Sequence, residues 1–134
     1  MVPTEQVFET HIRTLGISND DHVIAYDTTG VGSAARIWWM FRLFGHTSVS
    51  VLNGGLPAWT LGGGSVENQV PTIEENVFSA HLNQSLLRTV DDIRSNLQTG
   101  MEQIVDARTE GRFKGVEPEP RPNLQSGHIP NSLN

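Results

Sequence analysis

The sequence predicts an α/β fold with parallel strands and flanking helices, arranged as two incomplete domains joined by a linker. Short apolar runs that suit buried strands alternate with segments of helical periodicity. A polar stretch rich in glycine interrupts this alternation, which then begins again. We therefore expect a first domain in residues 1–62, a linker in residues 63–76 and a second domain in residues 77–134.

The first domain is predicted to open with a helix over residues 4–15. Phe8, Ile12 and Leu15 recur at helical spacing and would share one buried face. The apolar run at residues 23–26 is too short for a helix and suits a buried strand of a parallel sheet.

A second helix is predicted over residues 33–44, because Ser33 can cap its start and Gly45 can end it. It separates the first strand from another apolar run at residues 49–52, which predicts a second strand. A strand, a helix and a strand with short loops imply parallel pairing through a right-handed crossover. A short helix at residues 56–61 would follow.

The same alternation predicts the elements of the second domain. We expect a strand at residues 77–82, then a helix over residues 89–97 that Thr89 caps. Asp91 and Asp92 suit the positive end of that helix. A third apolar run at residues 103–105 predicts the strand that leads into the motifs below.

Composition excludes several functional classes. The net charge of −6 argues against a nucleic-acid partner, which would require clustered Lys and Arg. No apolar run is long enough to cross a membrane. The five histidines lack metal-ligand spacing, so we expect no metal site. The chain has no cysteine, which excludes a disulfide framework and thiol catalysis by this polypeptide alone.

Two arginines, Arg108 and Arg112, follow the predicted strand at residues 103–105 and are candidates for binding a small anion. Guanidinium groups are permanently charged, and their forked donors suit a carboxylate or a sulfur oxyanion. The alternative is that Arg108 pairs with Asp106 or Glu110, while Arg112 is a solvated surface charge. Spacing alone leaves both interpretations open.

The proline-rich acidic segment at residues 117–120, with Pro122 after it, has a restricted backbone. Its alternating Glu and Pro residues are typical of an exposed stretch of chain. We expect it to be a surface excursion and not part of a site.

A glycine motif at residues 30–35 fits the G-x-G-x-x-A form of a dinucleotide fingerprint and opens a predicted helix. This makes a nucleotide-binding α/β domain a remote alternative. Two features weaken it: residues 27–29 separate the glycines from the strand, and the second strand ends in Asn53 instead of an acidic residue.

Two long motifs stand out in the sequence: RIWWMFRLFGHTSVSVLNGGLPAW, and VDARTEGRFKGVEPEPRP followed by SGHIP. Both resemble the two-domain rhodanese family of thiosulfate and 3-mercaptopyruvate sulfurtransferases. The first motif is similar to the end of that family's first, non-catalytic domain, and the second is similar to the opening of its catalytic domain. The motifs follow the family's order and cover nearly the whole chain. The resemblance implies two incomplete rhodanese domains from the middle of a longer enzyme, as a fragment or a truncated product.

The resemblance also implies roles for individual residues. Arg108 and Arg112 correspond to family arginines that bind the sulfur donor, while Asp106 and His128 have supporting roles. Asp27 stands where the catalytic cysteine lies in the second domain of the family, and a carboxylate cannot form a persulfide. We therefore assign Asp27 a structural role and predict that this chain alone is inactive.

The implied reaction moves sulfur from thiosulfate or 3-mercaptopyruvate to a thiol or cyanide acceptor through a cysteine persulfide. It implies a small anionic donor as partner, together with missing parts of the same parent chain, but no cofactor, nucleic acid or membrane. The expected compartment is mitochondrial or cytoplasmic. The motifs favour 3-mercaptopyruvate without deciding the donor. The main alternative is a non-catalytic, rhodanese-like interaction module.

Overall fold

Both halves of the chain form small parallel sheets with helices around them. The structure, a computed structural model, describes residues 2–29 and 32–134. These residues form two units, which divide between Leu87 and Arg88. The predicted α/β fold with parallel strands and flanking helices is confirmed. The domain boundaries at residues 1–62, 63–76 and 77–134 stay a prediction.

The first unit follows the predicted order of elements closely. It contains α1 (Glu5–Thr14), β1 (Val23–Ala25), α2 (Ser33–Leu43), β2 (Val49–Val51), α3 (Gly55–Leu61) and a 3₁₀ turn (Gln84–Leu86). Strands β1 and β2 pair in parallel, with Val23 opposite Val49, and α2 forms the crossover between them. Thr4 caps α1 by accepting a hydrogen bond from the Val7 N–H at 3.3 Å.

An aromatic core lies between α1, the end of α2 and a later segment of the chain. The rings of Phe8 and Phe44 stack with centroids 4.4 Å apart. Phe41 and Phe78 meet the Phe8 ring edge-on at 5.4 and 6.0 Å. All four rings are buried, and Phe78 is fully enclosed. Ring contacts of this kind add to the stabilisation from apolar burial.

The strand predicted at residues 77–82 is wrong. The structure has no strand there, and the segment at residues 77–83, which we call the strap, runs along the first unit. Its backbone bonds to carbonyls at the end of α2 and to side chains of α1 instead of to a neighbouring strand. The His81 and Asn83 N–H groups donate to the carbonyls of Phe44 and Leu43 at 3.0 and 2.7 Å. Two residues of the strap, Phe78 and Ala80, belong to the buried core.

Helix α1 holds the other side of the strap with three side chains spaced four residues apart. They lie on one helix face because residues four apart are neighbours on an α-helix. Arg13 Nε donates to the Phe78 carbonyl at 2.9 Å. The carboxylate of Glu9 accepts from the Ala80 N–H at 2.8 Å, and that of Glu5 accepts from the Leu82 N–H at 2.6 Å. The strap is therefore an integral part of the first unit.

The second unit contains α4 (Val90–Thr99), β3 (Ile104–Val105), α5 (Glu110–Phe113) and β4 (Ser132–Leu133). Thr89 and Asp92 form a capping box at the start of α4, which confirms the predicted cap. Strands β3 and β4 pair in parallel, with Ile104 opposite Ser132. The sequence analysis missed α5 and β4, because elements of four and two residues are too short to show periodicity.

Candidate functional site

The candidate site is the loop that follows β3, where the sequence analysis placed the two arginines. Asp106 is the first residue after β3, and its N–H donates to the Leu133 carbonyl of β4 at 2.7 Å. The side-chain Nδ2 of Asn134 donates to the backbone carbonyls of Asp106 and Arg108, each at 2.8 Å. These contacts attach the loop backbone to the end of β4, so the pairing of β3 with β4 fixes the position of the Arg108 backbone.

Arg108 and Asp106 form a close ion pair. Arg108 Nε lies 3.0 Å from both carboxylate oxygens, and the Arg108 N–H donates to Oδ1 at 2.9 Å. Hydrogen bonds from Arg108 lower the pKa of Asp106 to about 2. The same carboxylate raises the pKa of Arg108. The pair is fully ionised at neutral pH, and its contacts fit the supporting role predicted for Asp106, which stays a prediction.

Glu119 joins the two arginines. Its Oε1 accepts from Arg108 Nη1 at 2.7 Å, and its Oε2 accepts from Arg112 Nη2 at 2.5 Å. The structure therefore agrees with the alternative interpretation for Arg108 and differs from it for Arg112. Arg108 pairs with Asp106 as one option proposed, but Glu110 pairs with Lys114 instead. Arg112 is not a solvated charge, since it forms an ion pair with a buried carboxylate.

The expectation that the acidic proline segment is a surface excursion is wrong for Glu119. Its side chain is only 4% exposed. Hydrogen bonds from Arg112 and Arg108 lower its pKa below the ordinary value for a glutamate. The spacing concealed this residue, because it lies 11 and 7 positions after its partners on a loop that no local periodicity describes. One signal in the sequence could have found it: Arg108 and Arg112 carry like charges four residues apart, and two such charges held close together need a negative partner.

The two arginines differ in how many of their donors are used. A guanidinium has five N–H groups, arranged so that two edges can each hold a pair of acceptors. Arg108 uses both edges: Asp106 takes Nε and Nη2, while Glu119 and the Gly127 carbonyl take Nη1 and Nη2. Arg112 uses only its Nε and Nη2 edge, on Glu119. Its Nη1 and Nη2 edge has no partner among the residues that the structure describes.

A cavity of about 530 Å³ lies beside this cluster. It is lined by residues 104–108, residues 125–129 and Ser132. His128 is one of the lining residues, and its Nδ1 donates to the Phe113 carbonyl at 2.8 Å. The imidazole also stacks on the Phe113 ring, with centroids 3.9 Å apart. These contacts attach the wall of the cavity to α5, the helix that carries Arg112.

Asp27 lies in the first unit, after β1, and its carboxylate is occupied by nearby donors. Oδ1 accepts from the Thr29 N–H at 3.0 Å, and Oδ2 accepts from the Ala34 N–H at 3.0 Å, in the first turn of α2. The carboxylate thus takes a backbone donor that a bound phosphate would need in the nucleotide-binding alternative. Residues 30 and 31 of the glycine motif lie outside the described residues.

Two further features concern the part of the chain that the structure describes. No group of three or more His, Asp or Glu side chains there is arranged to hold a metal ion. No helix there is both long and apolar enough to span a membrane.

Comparison with known proteins identifies the family. Residues 1–61 match the family model of the rhodanese-like domain. The whole chain is 48% identical to a thiosulfate sulfurtransferase of Rattus norvegicus and 43% identical to a 3-mercaptopyruvate sulfurtransferase of Mus musculus. A mitochondrial thiosulfate/3-mercaptopyruvate sulfurtransferase of Arabidopsis thaliana is 40% identical over 98% of this chain. The chain covers 46%, 46% and 40% of these proteins, less than half of each.

Solved structures give the same result for the fold. SseA from Escherichia coli, described as having the rhodanese fold of 3-mercaptopyruvate sulfotransferases, matches with a TM-score of 0.86 and 36% identity. That match covers 100% of this chain and 50% of SseA. Tum1 from Saccharomyces cerevisiae matches with a TM-score of 0.81 and 29% identity, over 98% of this chain and 46% of Tum1. The chain therefore has the rhodanese fold and belongs to the rhodanese family.

Proposed function

We propose that this chain is the donor-binding part of a sulfurtransferase. The complete enzyme would move sulfur from 3-mercaptopyruvate or thiosulfate to a thiol or cyanide acceptor through a cysteine persulfide. The names of the relatives support this reaction class. The chain supplies no cysteine, so the persulfide would form on a residue outside these 134 residues, and the mitochondrial or cytoplasmic location stays a prediction.

The observation that carries the proposal is the unused edge of Arg112. Both donors are small anions, and a guanidinium edge can bind two oxygens of a carboxylate or of a sulfur oxyanion at once. Arg112 keeps three N–H groups without a partner among the described residues, whereas Arg108 keeps one. Arg112 is thus the direct ligand in this proposal, and Arg108 adds positive charge and anchors the cluster.

Binding by the chain itself tests the proposal. Sodium thiosulfate and 3-mercaptopyruvate are titrated into the 134-residue protein, with affinity measured by calorimetry. Arg112→Gln removes the charge and the fork, so we expect affinity for both anions to fall about tenfold or more. Arg94→Gln is the matched control, because Arg94 is exposed and its one ion pair among the described residues is with Asp91, one turn away. Equal affinities in the two variants would contradict the assignment of Arg112.

A second candidate function is a non-catalytic, rhodanese-like binding module, favoured by the absence of cysteine from the chain. A module of this kind would bind an anion without transferring its sulfur. We expect the isolated chain to release no thiocyanate from thiosulfate and cyanide, because it lacks a thiol nucleophile. Adding the rest of the parent enzyme separates the candidates: thiocyanate production that depends on Arg112 supports the sulfurtransferase, and its absence supports the module.

A further inference from the structure

Glu119 has a buried carboxylate that has no role in donor binding as proposed above. Its side chain is 4% exposed, and both oxygens accept hydrogen bonds from guanidinium groups. A buried charge is costly unless it is paired, and here two opposite charges surround it. Arg112 gives Glu119 its entire Nε and Nη2 edge, at 3.1 and 2.5 Å. The direction of the remaining Arg112 edge therefore follows from where Glu119 lies.

Arg108 holds Glu119 in place from the opposite side. Its Nη1 donates to Glu119 Oε1 at 2.7 Å, while Asp106 and the Gly127 carbonyl hold the rest of the guanidinium. The contacts run from Asp106 through Arg108 and Glu119 to Arg112, with alternating charge. We call these four side chains the ion-pair network. Its first members are fixed by backbone contacts, and only its last member, Arg112, has an edge without a partner among the described residues.

The backbone around Glu119 is also attached to α5, the helix of Arg112. Pro118 and Pro120 flank Glu119 and restrict its backbone. The N–H groups of Val116 and Glu117 both donate to the Gly111 carbonyl, at 2.9 and 3.1 Å. The Glu117 side chain lies so close to Gly111 that an added Cβ would clash with Glu117 Cδ. The acidic segment is therefore held against α5 by both hydrogen bonds and side-chain packing.

We propose that Glu119 is a positioning residue that aims the free edge of Arg112 at the sulfur donor. The proposal rests on the proposed function, in which Arg112 binds the donor anion. Glu119 would act on the donor only through Arg112, because its oxygens are occupied and its charge repels an anion. Without it, the two like-charged guanidinium groups lose the carboxylate that holds them together, and Arg112 turns towards solvent.

The test compares Glu119→Gln with Glu117→Gln in the 134-residue chain. Both variants remove one negative charge from the same segment, but Glu117 accepts from Thr109 and contacts neither arginine through a hydrogen bond or ion pair. The first readout is the Nε–H resonance of Arg112 and its heteronuclear NOE in NMR spectra. The second readout is the affinity for thiosulfate, measured by calorimetry at one fixed salt concentration.

We expect a rigid Arg112 Nε–H in the unmodified chain and in Glu117→Gln, and a mobile one in Glu119→Gln. Thiosulfate should bind about tenfold more weakly to Glu119→Gln than to Glu117→Gln, in spite of the equal change in charge. Glu119→Asp keeps the charge but is one carbon shorter, so it should also bind more weakly than the unmodified chain. A backbone amide spectrum for each variant shows whether the second unit is still folded.

Several outcomes would overturn the inference. Thiosulfate affinity in Glu119→Gln that equals or exceeds that of Glu117→Gln would show that Glu119 only competes with the donor. An Arg112 Nε–H as mobile as that of Arg94 in the unmodified chain would overturn it even if Glu119→Gln fails to fold. If thiosulfate does not bind the unmodified chain, the donor-binding function fails. A rigid Arg112 that Glu119→Gln makes mobile would still support the positioning role.

Discussion

The two units of this protein are stabilised in different ways. The buried apolar side chains of the described residues all lie in the first unit, from Phe8 to Ala80. The residues of the second unit that are buried as a whole, Asn96 and Ser132, are polar, and the Glu119 side chain is buried as well. Asn96 bonds both ways to the backbone of Glu102, at 2.7 Å each, and Arg88 pairs with the Glu102 carboxylate. The first unit thus depends on apolar burial, and the second on hydrogen bonds and ion pairs.

This difference determines how each unit should respond to its surroundings. Apolar burial responds little to pH or salt, and it is lost mainly when a core side chain is removed. Ion pairs weaken when a partner is protonated or when salt screens the charges. The unit with the candidate site is therefore the one whose structure depends on the charge state. Three predictions use this contrast, from the largest expected effect to the smallest.

Removal of a core ring should produce the largest effect. Phe78→Ala replaces a fully enclosed ring that contacts Phe8, Phe41 and His46. We expect the free energy of unfolding of the first unit to fall by about 3–5 kcal/mol, because the cavity adds to the lost transfer free energy. Urea denaturation followed by NMR, which resolves the two units, measures the change.

Val77→Ala is the matched control for this substitution, because Val77 is the preceding strap residue and is 74% exposed. It should change the free energy by less than about 0.5 kcal/mol. A similar loss in both variants would show that the strap is not part of the aromatic core.

Acid should act mainly on the second unit. Asp106 has its pKa lowered to about 2, and the pKa values of Glu119, Asp92 and Glu102 are also lowered by their hydrogen-bond donors. A carboxylate whose pKa is lower in the folded state than in the unfolded state stabilises the fold at any pH above its unfolded-state pKa. This stabilisation is lost as the pH falls through the folded-state pKa. For Asp106 this window runs from about pH 4 to about pH 2.

An NMR titration from pH 6 to pH 2 checks this expectation. In the first unit, hydrogen bonds from Ser18 lower the pKa of the exposed Asp21 carboxyl, but the buried core of that unit is apolar. The amide signals of the first unit should therefore persist further into acid. The signals of residues 104–119 should broaden or shift first. If the amide signals of both units disappeared at the same pH, the proposed difference in how the two units are stabilised would be wrong.

A substitution in α1 should have the smallest effect. Glu9→Ala leaves the N–H of Ala80 without its acceptor, in a residue that is only 5% exposed. An unsatisfied buried donor costs about 1–2 kcal/mol of unfolding free energy. Hydrogen exchange of the Ala80 amide should become faster by the corresponding factor. Glu9→Gln keeps an acceptor oxygen and should lose less; if it lost as much as Glu9→Ala, the strap hydrogen bond would not be the cause.

Much of the fold could be predicted from the sequence, because its signals are local. Apolar spacing predicts the helices of the first unit, and the cap Thr89 predicts α4 of the second unit. Both signals come from residues within a few positions of one another. The strap was assigned wrongly, because an apolar run such as residues 77–82 suits any buried extended segment. Whether it pairs with a strand or with side chains of α1 depends on residues about 70 positions away.

The candidate site divides in the same way. The sequence by itself determined the family, the absence of a thiol nucleophile and the two arginines, since motifs and composition need no coordinates. Only the tertiary structure decided that the Glu119 side chain is buried between Arg108 and Arg112. It also decided that Arg108 has acceptors on both guanidinium edges, while one edge of Arg112 has no partner among the described residues. The physical reason is that a charge acquires its partners, and its direction, from groups that only the folded loop brings within hydrogen-bond distance.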